Sequence, residues 1–285
     1  MSYSNLVLNS ADVNLVLIGE EAVLKRITKE EFLKAYIPNV TVSLSNEIGQ
    51  YPTLSLLRGQ HNSFSQVGKT DFVYTYTDTS SKDMVSCAEY CLEYLRQYLA
   101  NIVCIHGACA VYKQTPVVFW GGASGMGKTR LAMALGQQGK FLYDEKILIN
   151  LTTGRVVGGV RYQYNNKLFY KDLLGTKKYR VLQSNREEKV LKPPVFIYGF
   201  ARDRSVLEIS CWEKERFEWH MYEEMSRKIR GTSRRFFDFS YPAPSLDNQE
   251  LALKRLQYCQ ESNAQAYYLS GSEKEVTEYI TQEII

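Results

Sequence analysis

The segment Gly122-Ala-Ser-Gly-Met-Gly-Lys-Thr129 constrains this chain more than any other. Gly122, Gly127, Lys128 and Thr129 have the spacing of a phosphate-binding loop set between a strand and a helix. Glycines let the backbone turn tightly enough for successive N–H groups to converge on phosphate oxygens. The helix that follows adds the positive end of its dipole. Ala123, Ser124, Gly125 and Met126 complete the cradle. Lys128 brings positive charge to the β and γ phosphates, and the Thr129 hydroxyl is a hard oxygen ligand suited to Mg2+. By average residue usage, chance produces the pattern in roughly one chain in a hundred of this length. The expected ligand is a nucleoside triphosphate, taken as ATP with Mg2+.

The flanks agree with that reading. Cys104–Tyr112 and Pro116–Gly122 read as strands joined by a polar turn at Lys113–Thr115, a hairpin that runs straight into the loop. Thr129–Gly136 reads as the following helix, and Phe141–Ile149 as one strand carrying Asp144 and Glu145. A hairpin ahead of the loop predicts a mixed sheet rather than a purely parallel one. Upstream, Val13–Gly19 and Phe72–Thr77 read as strands and Lys29–Tyr36 as a helical turn or two. The apolar series Met84, Cys87, Ala88, Cys91, Tyr94, Leu95, Tyr98 and Leu99 predicts a helix over 82–100 with one buried face. Ser81 and Asp83 stand at its start. Residues 153–159 are rich in turn formers. Downstream, 195–198 and 206–212 read as strands, and 248–259 and 272–281 as helices. No internal repeat is visible. The expected division is a small α+β region over 1–95 and a nucleotide-binding domain over 96–285.

Charge and composition exclude some classes. A net charge of +4 over 285 residues is too small for an extended nucleic-acid footprint. No apolar run approaches the length that crosses a bilayer, so no membrane partner is expected. The first residues lack a basic stretch and a small-residue cleavage site, which predicts a cytoplasmic protein. The six cysteines include no Cys-x-x-Cys pair. Cys87 and Cys91, four apart on the predicted helix, find no second pair at zinc spacing, and buried thiols are the expectation.

Three stretches together resemble a known family. Ile105-His106-Gly107-Ala-Cys-Ala-Val, the glycine loop, and Leu142-Tyr-Asp144-Glu145-Lys-Ile-Leu-Ile149 are similar to the C-terminal catalytic domain of HPr kinase/phosphorylase. The likeness covers roughly residues 100–160. It implies an α/β fold: a mixed-sheet P-loop domain of the HPr kinase and phosphoenolpyruvate carboxykinase type. It also implies roles. Asp144 matches the general base for the acceptor hydroxyl, Glu145 matches a second acid that helps hold the metal with Thr129, and His106 matches the histidine beside the phosphates. The chemistry is reasonable, because a carboxylate beside a triphosphate can orient a hydroxyl and take its proton. Glutamate stands at 145 where the family usually has aspartate. Two further departures point to an acceptor other than HPr: Arg155-Val-Val-Gly-Gly-Val160 lacks the Glu-x-x-Gly signature expected there, and the N-terminal part does not resemble that of the HPr enzyme.

A basic segment remains. Arg227, Lys228, Arg230, Arg234 and Arg235 place five cations within nine residues. Arg230, beside Gly231, is the first candidate for a phosphate contact, and a charge clamp or an anionic acceptor site both fit. With Phe236 and Phe237 the segment could also stack on nucleic acid. The leading expectation is an ATP- and Mg2+-dependent kinase acting on a hydroxyl of a peptide, protein or small molecule. A nucleotide-binding sensor or adaptor, and a kinase for a nucleic-acid hydroxyl, are the alternatives. A carboxykinase acting on a keto acid is disfavoured, and the sequence leaves open whether the protein forms a homo-oligomer.

Overall fold

The computed structural model describes residues 2–44, 50–77, 81–122, 125–164, 179–181, 192–201, 206–231 and 243–285. Its first hairpin shows how local sequence builds the sheet. Strands β1 (Tyr3–Ser10) and β2 (Val13–Glu20) are joined by Ala11 and Asp12, both at positive φ. That backbone twist suits a two-residue hairpin turn, because it matches the right-handed twist of the flanking strands. Alternate residues Leu6, Leu8, Val13, Leu15 and Leu17 enter the core. Helices α1 (Glu21–Lys29) and α2 (Glu31–Tyr36) follow, then β3 (Val40–Leu44), β4 (Thr53–Arg58), β5 (Ser63–Val67) and β6 (Asp71–Tyr76). These strands form one sheet of order β3-β1-β2-β4-β6-β5. The long helix α3 (Ser81–Ala100) packs against β2, β4, α1 and α2.

That helix differs from its sequence pattern. Every residue from Asp83 to Gln97 is buried, so burial extends well beyond one face. Three of the charges this encloses, Glu89, Glu93 and Arg96, are paired with one another. Arg96 holds Glu89 at 3.0 Å and Glu93 at 3.4 Å, and donates to Ser10 Oγ at 2.8 Å.

The strand β7 (Ile102–Ile105) leads into the second half of the chain. There, β8 (Gly107–Tyr112) and β9 (Thr115–Trp120) form a hairpin turned by Lys113 and Gln114, both at positive φ. Helix α4 (Lys128–Gln138), β10 (Lys140–Tyr143), β11 (Ile147–Asn150) and β12 (Val156–Gly159) follow, with β11 and β12 antiparallel. The short strands β13 (Tyr162–Tyr164) and β14 (Tyr179–Val181) pair with each other. Next come β15 (Val195–Ala201), β16 (Glu208–Cys211), α5 (Lys214–Arg227), α6 (Gln249–Glu261), β17 (Ala266–Gly271), α7 (Glu273–Tyr279) and a π-helical turn, Ile280–Ile284. The main sheet of this half has the order β10-β8-β9-β15-β17-β16. It is mixed: β9, β10, β15 and β17 run in one direction, and β8 and β16 run against them. The protein is thus α/β with mixed sheets, as the hairpin ahead of the loop predicts. Helix α4 packs on β8, β9, β10 and β15, with Leu131, Ala132 and Leu135 in the core.

The compact units do not follow one cut near residue 95. One contains Met1–Val103 and Met225–Lys254, the other Cys104–Glu224 and Arg255–Ile285. The returning segment belongs to the first unit because it completes that unit's core. Tyr90 donates to the carbonyls of Ile229 and Pro244 at 2.8 and 2.7 Å, and Ile229, Ala243, Leu246 and Leu251 join the α3 cluster. Among the described residues no helix is long and apolar enough to cross a membrane.

Candidate functional site

The second unit gathers most of the residues singled out by sequence. Strand β9 ends at Trp120, and Gly121, Gly122, Gly125 and Gly127 all take positive φ. Gly127 is the N-cap of α4 at φ 89°. A side chain there would be strained by that backbone, and its Cβ would collide with Ala201. The close approach is real backbone packing, since the Ala201 N–H donates to the Met126 carbonyl at 2.9 Å. The end of β15 therefore braces the loop. Ala123 and Ser124 lie outside the described residues.

Lys128 opens α4 and is buried, 7 % exposed. Next to it, Thr129 Oγ1 donates to Asp144 Oδ1 at 2.8 Å. This bond joins the first turn of α4 to the end of β10. The expected single strand over 141–149 is broken here: β10 stops at Tyr143 and β11 starts at Ile147. The cause is local. Glu145 sits at φ 67°, which no extended strand can accommodate. The turn is fastened by Asp144 N–H to the Val160 carbonyl at 2.9 Å and by Lys146 N–H to the Asp144 carbonyl at 2.7 Å. A non-glycine residue in the left-handed region carries strain of order 1–3 kcal/mol and recurs at functional sites.

Asp144 is 2 % exposed. Its Oδ1 accepts from Thr129 and from the Glu145 N–H at 3.0 Å, while Oδ2 is buried with no hydrogen-bond partner. Burial pushes its pKa up to about 7, and the Glu145 carboxylate adds to the rise. The Thr129 bond, the Glu145 N–H and the Lys128 ammonium act in the opposite direction. Orphaned, shifted carboxylates of this kind concentrate at functional sites.

His106 stands at the other side of the same turn. Its Nδ1 lies 3.0 Å from the Glu145 carbonyl and 3.5 Å from Glu145 Oε2. Its backbone N–H donates to Glu224 Oε1 at 2.9 Å. Glu145 therefore faces His106, whereas the Thr129 hydroxyl engages Asp144. The two expected metal ligands, Thr129 and Glu145, are thus each engaged with a different neighbour. Among the described residues no cluster of three or more His, Cys, Asp or Glu side chains could hold a metal ion by itself. A cation sited here would need oxygens from a ligand.

Arg230 belongs to the first unit, where its Nε holds Asp247 Oδ2 at 3.3 Å. Arg234, Arg235, Phe236 and Phe237 lie outside the described residues. Sequence reasoning missed Glu224 and Ala201. Glu224 sits on α5, far along the chain from His106, and nothing local to it signals the contact. Ala201 braces the loop through its backbone, so its side chain carries no signal. Compared with known protein families and with curated proteins, the chain matches none.

Proposed function

We propose that the chain is an ATP- and Mg2+-dependent kinase that transfers the γ-phosphoryl group to a hydroxyl of a peptide, protein or small molecule. Its second unit is read as a P-loop domain of the HPr kinase and phosphoenolpyruvate carboxykinase type. One observation carries the reading: the Thr129–Asp144 hydrogen bond puts a buried carboxylate, with one oxygen unpartnered, directly against the glycine loop. In this reading the loop amides and Lys128 hold the triphosphate. The Thr129 hydroxyl can donate to Asp144 and still offer a lone pair to Mg2+, with phosphate oxygens completing the shell. The cation would neutralise charge on the transferring phosphoryl group.

The chemistry assigned to the protein's own residues is short. Asp144 Oδ2 accepts the acceptor's hydroxyl proton as that oxygen attacks the γ-phosphorus. The bond from the γ-phosphorus to the β–γ bridging oxygen breaks, and ADP leaves. A base whose pKa lies near 7 is well placed, because it is ionised enough to accept a proton near neutral pH and basic enough to keep it. His106, held by Glu145 and by Glu224 through its backbone, lines the same turn.

The test is ADP release from MgATP, followed with and without size-fractionated extract from the source cells. A fraction that raises ADP release severalfold supports transfer to an acceptor it contains. MgATP binding without stimulated turnover by any fraction would leave a sensor or adaptor in the kinase's place.

A further inference from the structure

The sequence shows no repeat, but the two six-stranded sheets have the same plan. The order β3-β1-β2-β4-β6-β5 becomes β10-β8-β9-β15-β17-β16 when β1 is set against β8, β2 against β9, β3 against β10, β4 against β15, β5 against β16 and β6 against β17. Each strand pairing then has the same sense in both sheets. The hairpin, the edge strand beside it and the far edge are antiparallel, and the two central pairings are parallel.

The hairpins also agree in register, and the pairings then assign the equivalent positions on the other strands. Leu8 faces Leu15 as Ala110 faces Val117. Setting those pairs together fixes the rest: Val16 with Val118, and hence Thr53 with Phe196 and Asp71 with Ala266. At the far edge, Phe64 opposite Tyr74 corresponds to Ile209 opposite Leu269. Side chains alternate with a period of two, so a slip of one residue anywhere would exchange the two faces. Four of the five pairings are regular in both sheets; the edge pairing β10–β8 carries one extra residue between Phe141 and Tyr143 that β3–β1 lacks. Helices correspond as well. α1 follows β2 as α4 follows β9, and α3 follows β6 as α7 follows β17; α1 packs on α3, and α4 on α7. Both hairpins turn on two residues at positive φ.

We infer that the chain carries two copies of one fold, and that only the second copy holds a phosphate site. A shorter loop and three replaced side chains explain the difference. Two residues, Gly19 and Glu20, separate Ile18 from α1, whereas seven, Gly121–Gly127, separate the matching Trp120 from α4. The first copy therefore has no loop to wrap an anion. Its helix opens with Glu21 and Ala22 where the second opens with Lys128 and Thr129. A carboxylate at that helix start repels phosphate. In β3, Ser43 opposite Val7 matches Tyr143 opposite Cys109, which sets Leu44 at the position of Asp144. The loop, lysine, hydroxyl and acid are all missing from the first copy, and its sheet and helices remain as scaffold.

The single-site part rests on the triphosphate reading above; the repeat does not. Two measurements on the full chain separate them. Cross-strand proton contacts by nuclear magnetic resonance should join Leu8 to Leu15, Ala110 to Val117, Phe64 to Tyr74 and Ile209 to Leu269. A register shifted by one residue in either sheet overturns the repeat. Equilibrium dialysis with MgATP should then find one nucleotide per chain, reduced at least tenfold in affinity in Lys128→Ala. Two nucleotides per chain, or one held equally well by Lys128→Ala, overturn the assignment of the site to the second copy. If the parent chain binds no MgATP, the triphosphate reading fails and the proton contacts still decide the repeat.

Discussion

Asp144→Asn should stabilise the protein above neutral pH, and by more as the pH rises from 5 to 8. The folded carboxyl titrates near 7 and its unfolded counterpart near 3.8. A raised carboxyl pKa means the folded state holds its proton more tightly, so stability falls as pH climbs through the window from 3.8 to 7 and stays low above it. At 1.36 kcal/mol per pK unit, the wild type loses roughly 4 kcal/mol by pH 8 and about 1.7 kcal/mol at pH 5. An asparagine cannot ionise and escapes both losses. Its Oδ1 can still accept from Thr129 and the Glu145 N–H, but its amide leaves N–H groups at the place of the orphan Oδ2. That burial costs about 1–3 kcal/mol at any pH. The pH-dependent part is isolated by comparing the variant with the wild type at both pH values. The gain from substitution should be larger at pH 8 than at pH 5 by about 2.5 kcal/mol. For a chain of this size that is about 5–10 °C in melting temperature. Thermal melts by circular dichroism at the two pH values provide the assay. Equal gains, or a larger one at pH 5, would refute the claim that Asp144 is a buried carboxyl held uncomfortably in its charged form.

Other perturbations read the remaining parts of the account. Gly127→Ala meets both a left-handed backbone and the side chain of Ala201; it should cost about 1–3 kcal/mol, read as a lowered melting temperature. Glu145→Gly relieves the strained turn while deleting a carboxylate beside Asp144, so the melting temperature should rise and the pH dependence described for Asp144 should shrink. In the first unit, Arg96→Ala leaves Glu89 and Glu93 buried without their cation. A loss of about 3–5 kcal/mol, seen in denaturant unfolding, is expected. A loss under 1 kcal/mol would contradict the reading of Arg96 as the cation that holds this buried cluster.

Much of the second unit could be read in advance because its signals are local. Glycine spacing around Lys128 marks the loop, and the polar pair Lys113–Gln114 between apolar runs marks the hairpin. Other features depend on neighbours distant in sequence. The run Phe141–Ile149 is apolar on both sides of Asp144 and reads as one strand; the left-handed Glu145 that breaks it has no residue signature. Helix α1 buries Val23, Leu24 and Ile27 and has the helical spacing, but its charged residues dilute the apolar stripe. The membership of Met225–Lys254 in the first unit rests on Tyr90 reaching the carbonyls of Ile229 and Pro244, and no local pattern encodes that. The repeat is hidden for a related reason. Sheet order and register survive substitutions such as Leu8 against Ala110 and Leu17 against Phe119, because a pleated strand requires only apolar side chains on the correct face. Arg230, read from a basic run, carries a contact the run does not encode: its Nε holds Asp247.

Asp144, against the glycine loop, is proposed as the base of a phosphoryl transfer. That role is tested most directly by following γ-labelled phosphate from MgATP into size-fractionated extract, with wild type and Asp144→Asn at equal nucleotide occupancy. A labelled product is expected with the wild type, and at least a hundredfold slower labelling with Asp144→Asn, in line with the usual contribution of a positioned base. Equal labelling by the two proteins would contradict it.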